Sequence, residues 1–218
     1  MKKTDMAGVK KVKCDRKELR QRVLSVAARA FAVHGIRNVR MDDIAGSLSI
    51  SKRTLYELFT DKEQLLLEIM LEHHREMHLY IAEVASRAEN ALEVIFAFYT
   101  RKSRELCELN PSFFRDLRKY PKVLECIREK QKANDAEALA HFKQGVKQGI
   151  FRDDINFDII NQAMSMQLDL LIYSDITEDY PLADIYREIT FLHMRGITTE
   201  KGMQMVNAFL QSVAEKQE

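Results

Sequence analysis

Apolar side chains recur at intervals of three and four along most of this chain, the pattern of helices that each bury one face. Leu19, Val23, Val26, Ala27, Ala30 and Phe31 form the first stripe, which ends at Gly35, a residue suited to the left-handed backbone that closes a helix. A short second stripe holds Ile44, Ala45 and Leu48. After Ser49 and Ile50 comes a third, Leu55, Leu58 and Phe59, with Ser51 ahead of it as a good N-cap. From Lys62 to about Arg87 the apolar period continues unbroken, long enough to connect two domains mechanically. Further helices are expected over 90–109, 112–119, 121–148, 156–173, 183–195 and 199–214. Their limits are set by Asn110-Pro111, Tyr120-Pro121, Gly149, Asn156, Pro181, Gly196 and Thr198 or Thr199. No convincing β-strand stands out. With only 7 Gly and 3 Pro in 218 residues, the expected fold class is all-α.

The second and third stripes are separated by a turn too short for their helices to lie side by side, so the helices cross steeply and the later one faces outward. Burying Leu55, Leu58 and Phe59 leaves Lys52, Arg53, Thr54, Tyr56 and Glu57 on or near its open side, a donor-rich face. Charge reinforces this reading. Residues 1–62 carry 15 Lys and Arg against 7 Asp and Glu, whereas the rest of the chain carries 19 basic and 26 acidic side chains. A formal net charge of +1 thus hides a basic first segment suited to a polyanion.

The segment HGIRNVRMDDIAGSLSISKRTLYELFTDKEQLL resembles the N-terminal domain of TetR-type transcriptional regulators over about residues 16–70. The resemblance rests on Asp43-Ile44-Ala45, on Ser51-Lys52 with Thr54-Leu55-Tyr56, on Phe59 and on Lys62-Glu63; beyond these it is architectural. It implies an N-terminal three-helix helix-turn-helix domain followed by a helical ligand-binding and dimerisation domain. The expected division is a flexible basic arm over 1–15, the DNA-binding domain over 16–61 and the effector and dimerisation domain over 62–218. Two positions depart from the family pattern. Arg40 stands where a capping Ser or Thr is usual, leaving either Asn38 or water to supply the cap, and Ser49 stands where the turn usually holds Gly. At the start of the long helix, Thr60 with Glu63 and Asp61 with Gln64 both fit the capping-box pattern.

In this scheme Lys52, Arg53, Thr54 and Tyr56 face a major groove, while Arg40, Ser51, Tyr56 and Lys62 anchor to phosphates. Arg53 is the expected guanine reader, since a guanidinium donates twice to that base edge. Lys62 opposes the dipole of its own helix, and a DNA phosphate, as at the matching family position, justifies it. One such element reads few base pairs, so a homodimer on a partly palindromic double-stranded operator is expected. The resemblance implies pairing through late helices in a four-helix bundle, corresponding to 156–173 and 183–195, with 199–214 as an addition. It also implies a pocket for a small, largely hydrophobic effector bordered by the long helix, 90–109, 121–148 and 156–173. Phe96, Tyr99, Phe113, His141, Phe142 and Met164 are the weakly favoured lining, although each serves equally as core. The dimer residues Ile159, Ile160, Ala163, Leu168, Leu171, Ile185, Ile189 and Leu192 could likewise close an intramolecular core.

No stretch approaches the roughly 20 apolar residues that cross a bilayer, and the basic start lacks an apolar signal region, so a cytoplasmic protein without membrane partners is expected. Cys14, Cys107 and Cys126 lack metal or redox spacing and read as reduced thiols. His74 and His78 share a helical face but no third ligand is evident, and no phosphate loop, nucleophile elbow or zinc pattern occurs. Neither cofactor nor catalysis is expected. The rival to a homodimeric repressor released by its effector is a helical scaffold that does not read a specific DNA site.

Overall fold

The computed structural model describes residues 16–215; the expected arm over 1–15 and Cys14 lie outside the described residues. Twelve helices follow one another: α1 (Arg16–His34), α2 (Met41–Ser47), α3 (Lys52–Leu58), α4 (Lys62–Arg87), α5 (Ala91–Cys107), α6 (Ser112–Leu117), α7 (Pro121–Lys147), α8 (Phe157–Ser165), α9 (Gln167–Tyr173), α10 (Ile176–Asp179), α11 (Leu182–Ile197) and α12 (Glu200–Ala214). The all-α expectation holds. None of these helices is long and apolar enough to cross a membrane. The single helix expected over 156–173 is interrupted at Met166. There Met166 N is shared between Gln162 O at 3.3 Å and Ala163 O at 3.2 Å, a tightened turn, while the Ser165 hydroxyl donates to Gln162 O at 2.7 Å as a second donor. α10 was not anticipated, nor was the lone bridge between Phe151 and Thr198. That bridge lets Phe151 press on Gly145, where a Cβ would come within 2.2 Å of the ring.

Helix starts are fixed by side chains that accept orphaned amides. Asp61 caps α4, accepting from Gln64 N at 2.7 Å, which resolves the two capping registers; Glu63 instead accepts from Lys122 N at the start of α7. Asn90, Asn156 and Thr199 cap α5, α8 and α12. At α2 the Arg40 side chain caps nothing, and the Arg40 amide is held by the Asp43 carboxylate at 2.7 Å. Asn38 does not supply that cap: its amide donates to His34 O at the end of α1.

The turn between α2 and α3 places a non-glycine residue in a conformation that favours glycine. Ser49 sits in the left-handed region at φ 53°, while Ser49 N donates to Gly46 O and Ile50 N to Ala45 O, the two bonds that close a helix end of this kind.

Two apolar clusters fill the interior. The first runs from Val23, Phe31, Ile44, Leu55 and Phe59 of the small N-terminal domain, through Leu65 and Leu66 of α4, to Phe113 and Leu117 of α6 and Leu171, Ile172, Leu182 and Ile185 of α9 and α11. The second gathers Leu92 and Tyr99 of α5, Phe142 of α7, Ile150 and Phe151, and Phe191, Met194 and Val206 of α11 and α12. A boundary between residues 61 and 62 therefore passes through the first cluster rather than around it.

α6 is also fastened to the end of α1 by polar groups. Asn110 donates its backbone amide to Ala32 O at 2.7 Å and its side-chain amide to Val33 O at 3.2 Å, and the buried Asp116 carboxylate accepts from Arg37 N at 2.7 Å. Gly35 makes the approach feasible, because a Cβ there would stand 2.3 Å from Ser112 Oγ and its φ is +78°. These bonds satisfy carbonyls that a helix end would otherwise leave unpaired.

A left-handed non-glycine residue costs roughly 1–2 kcal/mol. Ser49→Gly is accordingly expected to stabilise the protein by about 1 kcal/mol and raise Tm by ~2–4 °C, measured by thermal and denaturant unfolding. An unchanged or lowered midpoint would show that the turn is not strained.

Candidate nucleic-acid interface

Leu55 and Phe59 are fully buried, and that fixes the rotation of α3 about its axis. Its opposite face is open: Ser51, Lys52, Arg53 and Tyr56 are exposed and Thr54 half-buried. Ser51 Oγ accepts from Thr54 N at 3.0 Å and lies 2.8 Å from Thr54 Oγ1, so the first turn is ordered where it would meet a groove edge. Both basic residues are held in outward ion pairs. Lys52 Nζ is 2.9 Å from Asp42 Oδ2, and this partner raises its pKa; Arg53 Nε is 2.8 Å from Glu57 Oε1 with 89% of the side chain exposed. Exposed pairs of this kind are worth about 0–1 kcal/mol, so a stronger acceptor can take either cation at little cost.

Arg40 is exposed at the start of α2. Lys62 is less accessible than the rest. Its ammonium lies 5.5 Å from the Phe31 ring centroid, and burial holds its pKa below the ordinary value while Asp116 and Asp43 pull the other way.

The sequence reading overlooked Arg16 and Arg20. They lie one turn apart on α1 and donate to Glu57 O at 3.1 Å and Leu58 O at 2.9 Å, the free carbonyls at the end of α3. Arg20 also pairs with Glu68 and sits 4.5 Å from the Phe59 ring centroid. The available signal was two arginines four apart at the start of a helix, a spacing that aims both at one neighbour.

The expected effector-lining residues divide. Phe96, Tyr99, Phe142 and Met164 belong to the second apolar cluster, with Phe96 stacked on Phe209 of α12 at 4.1 Å and Tyr99 edge-on to Phe191 of α11. Phe113 lies apart from them, in the first cluster beside Phe114. His141 belongs to neither cluster and its Nε2 is buried without a hydrogen-bond partner. His73 pairs with Glu105 at 2.9 Å and His78 with Glu137 at 3.3 Å, and among the described residues no three His, Cys, Asp or Glu side chains gather as a metal site. His193 Nδ1 lies 2.7 Å from Ile189 O in its own helix, and Cys107 and Cys126 are free thiols.

A capped, outward-facing cationic helix behind a tight turn has the arrangement of a helix-turn-helix. Residues 23–69 match the family model described as bacterial regulatory proteins, tetR family. The HTH-type transcriptional repressor AcnR of Corynebacterium diphtheriae is 28% identical over 152 residues, covering 69% of this chain and 77% of that protein. Among solved structures, a TetR-family regulator from Agrobacterium tumefaciens superposes with a TM-score of 0.66 at 15% identity, over 85% of this chain and all (100%) of that one. A transcriptional regulator from Saccharomonospora viridis, solved in complex with choline, gives a TM-score of 0.62 at 23% identity, over 84% and 100% of the two chains. The chain shares the all-helical fold of these solved structures.

Arg53→Ala should leave Tm unchanged, lower affinity for the operator by about 1–3 kcal/mol and relax preference at one base pair. Lys62→Ala should weaken specific and random duplexes alike and flatten the salt dependence. Competition gel shifts check both, and equal losses for the two variants on both kinds of DNA would overturn this division of roles.

Proposed function

We propose that the chain is a cytoplasmic homodimeric repressor whose two α3 helices read a partly palindromic operator, and that a small, largely hydrophobic effector releases it. The observation that carries this reading is the outer face of α3, where Lys52, Arg53 and Tyr56 stand clear of the core and Arg40 and Ser51 flank them. Arg40, Ser51, Tyr56 and Lys62 hold phosphates; Lys52, Arg53, Thr54 and Tyr56 face bases. Repression is supported by the name of the corynebacterial relative, and a small-molecule effector by the choline-bound regulator of like fold.

Dimerisation is supported by the distribution of the late apolar residues. Leu171 and Ile185, two of the candidates for an interface, are buried within the chain. Ile159 and Leu192 are instead 63% and 72% exposed, and Ile159, Met166 and Tyr173 follow one another at intervals of seven along α8 and α9. α8 buries no residue fully. α12 is engaged elsewhere, closing the second cluster through Val206 and Phe209, so α8, α9 and α11 form the mating face in this proposal.

An effector in the helical domain would favour an arrangement whose reading heads no longer match grooves about 34–36 Å apart. It can do so only through unequal affinity for the two arrangements. The attachment of α6 to the end of α1 gives such a change a direct route, because moving α6 pulls on Ala32, Val33 and Arg37.

Selection of bound host-genome fragments tests the function: a recurring, partly palindromic site is expected, with affinity that falls roughly a thousandfold or more between about 50 and 200 mM salt if the dimer meets six or more phosphates. Binding that vanishes at modest salt and leaves no specific site would favour the scaffold instead. Sedimentation should give twice 25.4 kDa, and Leu192→Glu with Ile159→Glu should halve it without loss of helix content. A wild-type monomer at micromolar concentration would remove the dimer from this scheme.

A further inference from the structure

The helix that faces outward ends without a closure of its own. α3 is seven residues long, carries no basic residue in its last turn and runs directly into the extended Phe59, whose amide returns to Leu55 O. The carbonyls of Glu57 and Leu58 lie past the last amide that could bond them and need donors from another element. α1 supplies both. Arg16 Nη2 donates to Glu57 O at 3.1 Å and Arg20 Nη1 to Leu58 O at 2.9 Å. Arg20 reaches further than Arg16: its Nη2 pairs with the Glu68 carboxylate of α4 and its guanidinium lies 4.5 Å from the Phe59 ring centroid, so one side chain joins α1, α4 and the end of α3. Leu65 and Leu66 are fully buried, and Ile69 and Met70 pack against the same cluster, which fixes the segment of α4 on which Glu68 stands. The Glu68 side chain is only 22% exposed. A carboxylate this close to a helix that meets a polyanion works against binding by its charge, so its place there calls for another reason.

We propose, resting on the reading of this chain as a DNA-binding regulator, that Arg20 and Glu68 are a positioning pair for operator recognition: Glu68 holds the Arg20 guanidinium in place, and Arg20 holds the end of α3 against α1. Neither side chain touches DNA. The ion pair directs Nη2 toward α4, which leaves Nη1 aimed at Leu58 O while the Phe59 ring supports the plane. Arginine suits this task because its donors diverge in a rigid plane, whereas a lysine ammonium is a point charge without a face to stack. Ser51 orders the first turn of α3 through Thr54 N and the pair orders the last, so the face that carries Lys52, Arg53 and Tyr56 is fixed from both ends. Base contacts demand that precision. If the far end of α3 were released, contacts to base edges would be lost before the less exacting contacts to phosphates, and a specific site would suffer more than a random one.

Glu68→Met separates this role from charge. Removing an acid tightens binding to every duplex if charge alone acts; the pair requires instead that operator affinity fall roughly tenfold while affinity for a random duplex of equal length holds or rises. Arg20→Met should lose a similar factor on the operator with the salt dependence unchanged, since no phosphate contact goes with it. Arg20→Lys keeps the charge and should not restore the operator. Glu72→Gln removes an acid one turn farther along α4, bonded to Gln21 and Arg75, and should not weaken the operator. The operator is the fragment that the wild-type protein recovers from the host genome, and competition gel shifts on full-length variants of intact helix content give the ratios. Hydrogen exchange on the DNA-free protein adds a readout that needs no operator: amides from Leu55 to Phe59 should exchange roughly tenfold faster in Glu68→Met and Arg20→Met, with those from Val23 to Phe31 unchanged. Full operator affinity in Glu68→Met, full recovery by Arg20→Lys, a salt slope lowered by about one in Arg20→Met, equal weakening by Glu72→Gln, or unchanged exchange in α3 overturns the proposal. A wild-type protein that recovers no recurring fragment strikes the regulator reading and this role with it, whereas an operator bound by the wild type and untouched by Glu68→Met strikes the pair alone.

Discussion

The constraint on which the structure depends is that the DNA-reading domain does not own its core. Val23, Phe31, Leu55 and Phe59 pack in one continuous cluster with Leu117 of α6 and Ile185 of α11, and the end of α1 is bonded to Asn110 and Asp116. A three-helix unit of this size buries little surface by itself. Its orientation is therefore set by the helices behind it, and the chain cannot reposition α6 without disturbing the packing that holds α3. The polar bonds add direction to this dependence. They hold the backbone at Ala32, Val33 and Arg37, on either side of Gly35, where a Cβ would stand 2.3 Å from Ser112 Oγ.

The helices themselves were legible because three- and four-residue spacing records which face is buried, and most ends coincide with Asn, Asp, Ser, Thr, Pro or Gly. The failures have local causes. The expected helix over 156–173 is interrupted at Met166, whose amide is shared between Gln162 O and Ala163 O, a local tightening that periodicity does not register. Asn38 looked like the missing cap for α2, but it serves α1, and Asp43 holds the Arg40 amide. For the DNA-facing surface, the exposed side of α3 followed directly from its buried side. Arg16 and Arg20 did not, since their partners are backbone carbonyls 38 and 41 residues away in sequence. Within the helical domain, the pocket implied by the resemblance grouped Phe113 with Phe96 and Phe142, and tertiary packing separates them into different clusters.

The two clusters of the interior also differ in what they can tolerate. The first is continuous from reading head to late helices and transmits strain. The second is a dense aromatic group, with Tyr99, Phe191 and Phe209 in mutual contact and Phe142 stacked on Phe157 at 4.9 Å. The two meet at Tyr186 of α11, which packs against both clusters and stacks on Tyr99 with ring centroids 5.6 Å apart.

The outer side of α3 adds nothing to the core: Lys52 pairs with Asp42 and lies over the exposed Tyr56 ring, and Arg53 pairs with Glu57, all on the surface. Changing those two side chains therefore carries almost no folding penalty, whereas altering Leu55 or Phe59 beneath them would. Whatever this helix meets can in consequence be exchanged one contact at a time, with the scaffold behind it left as it is.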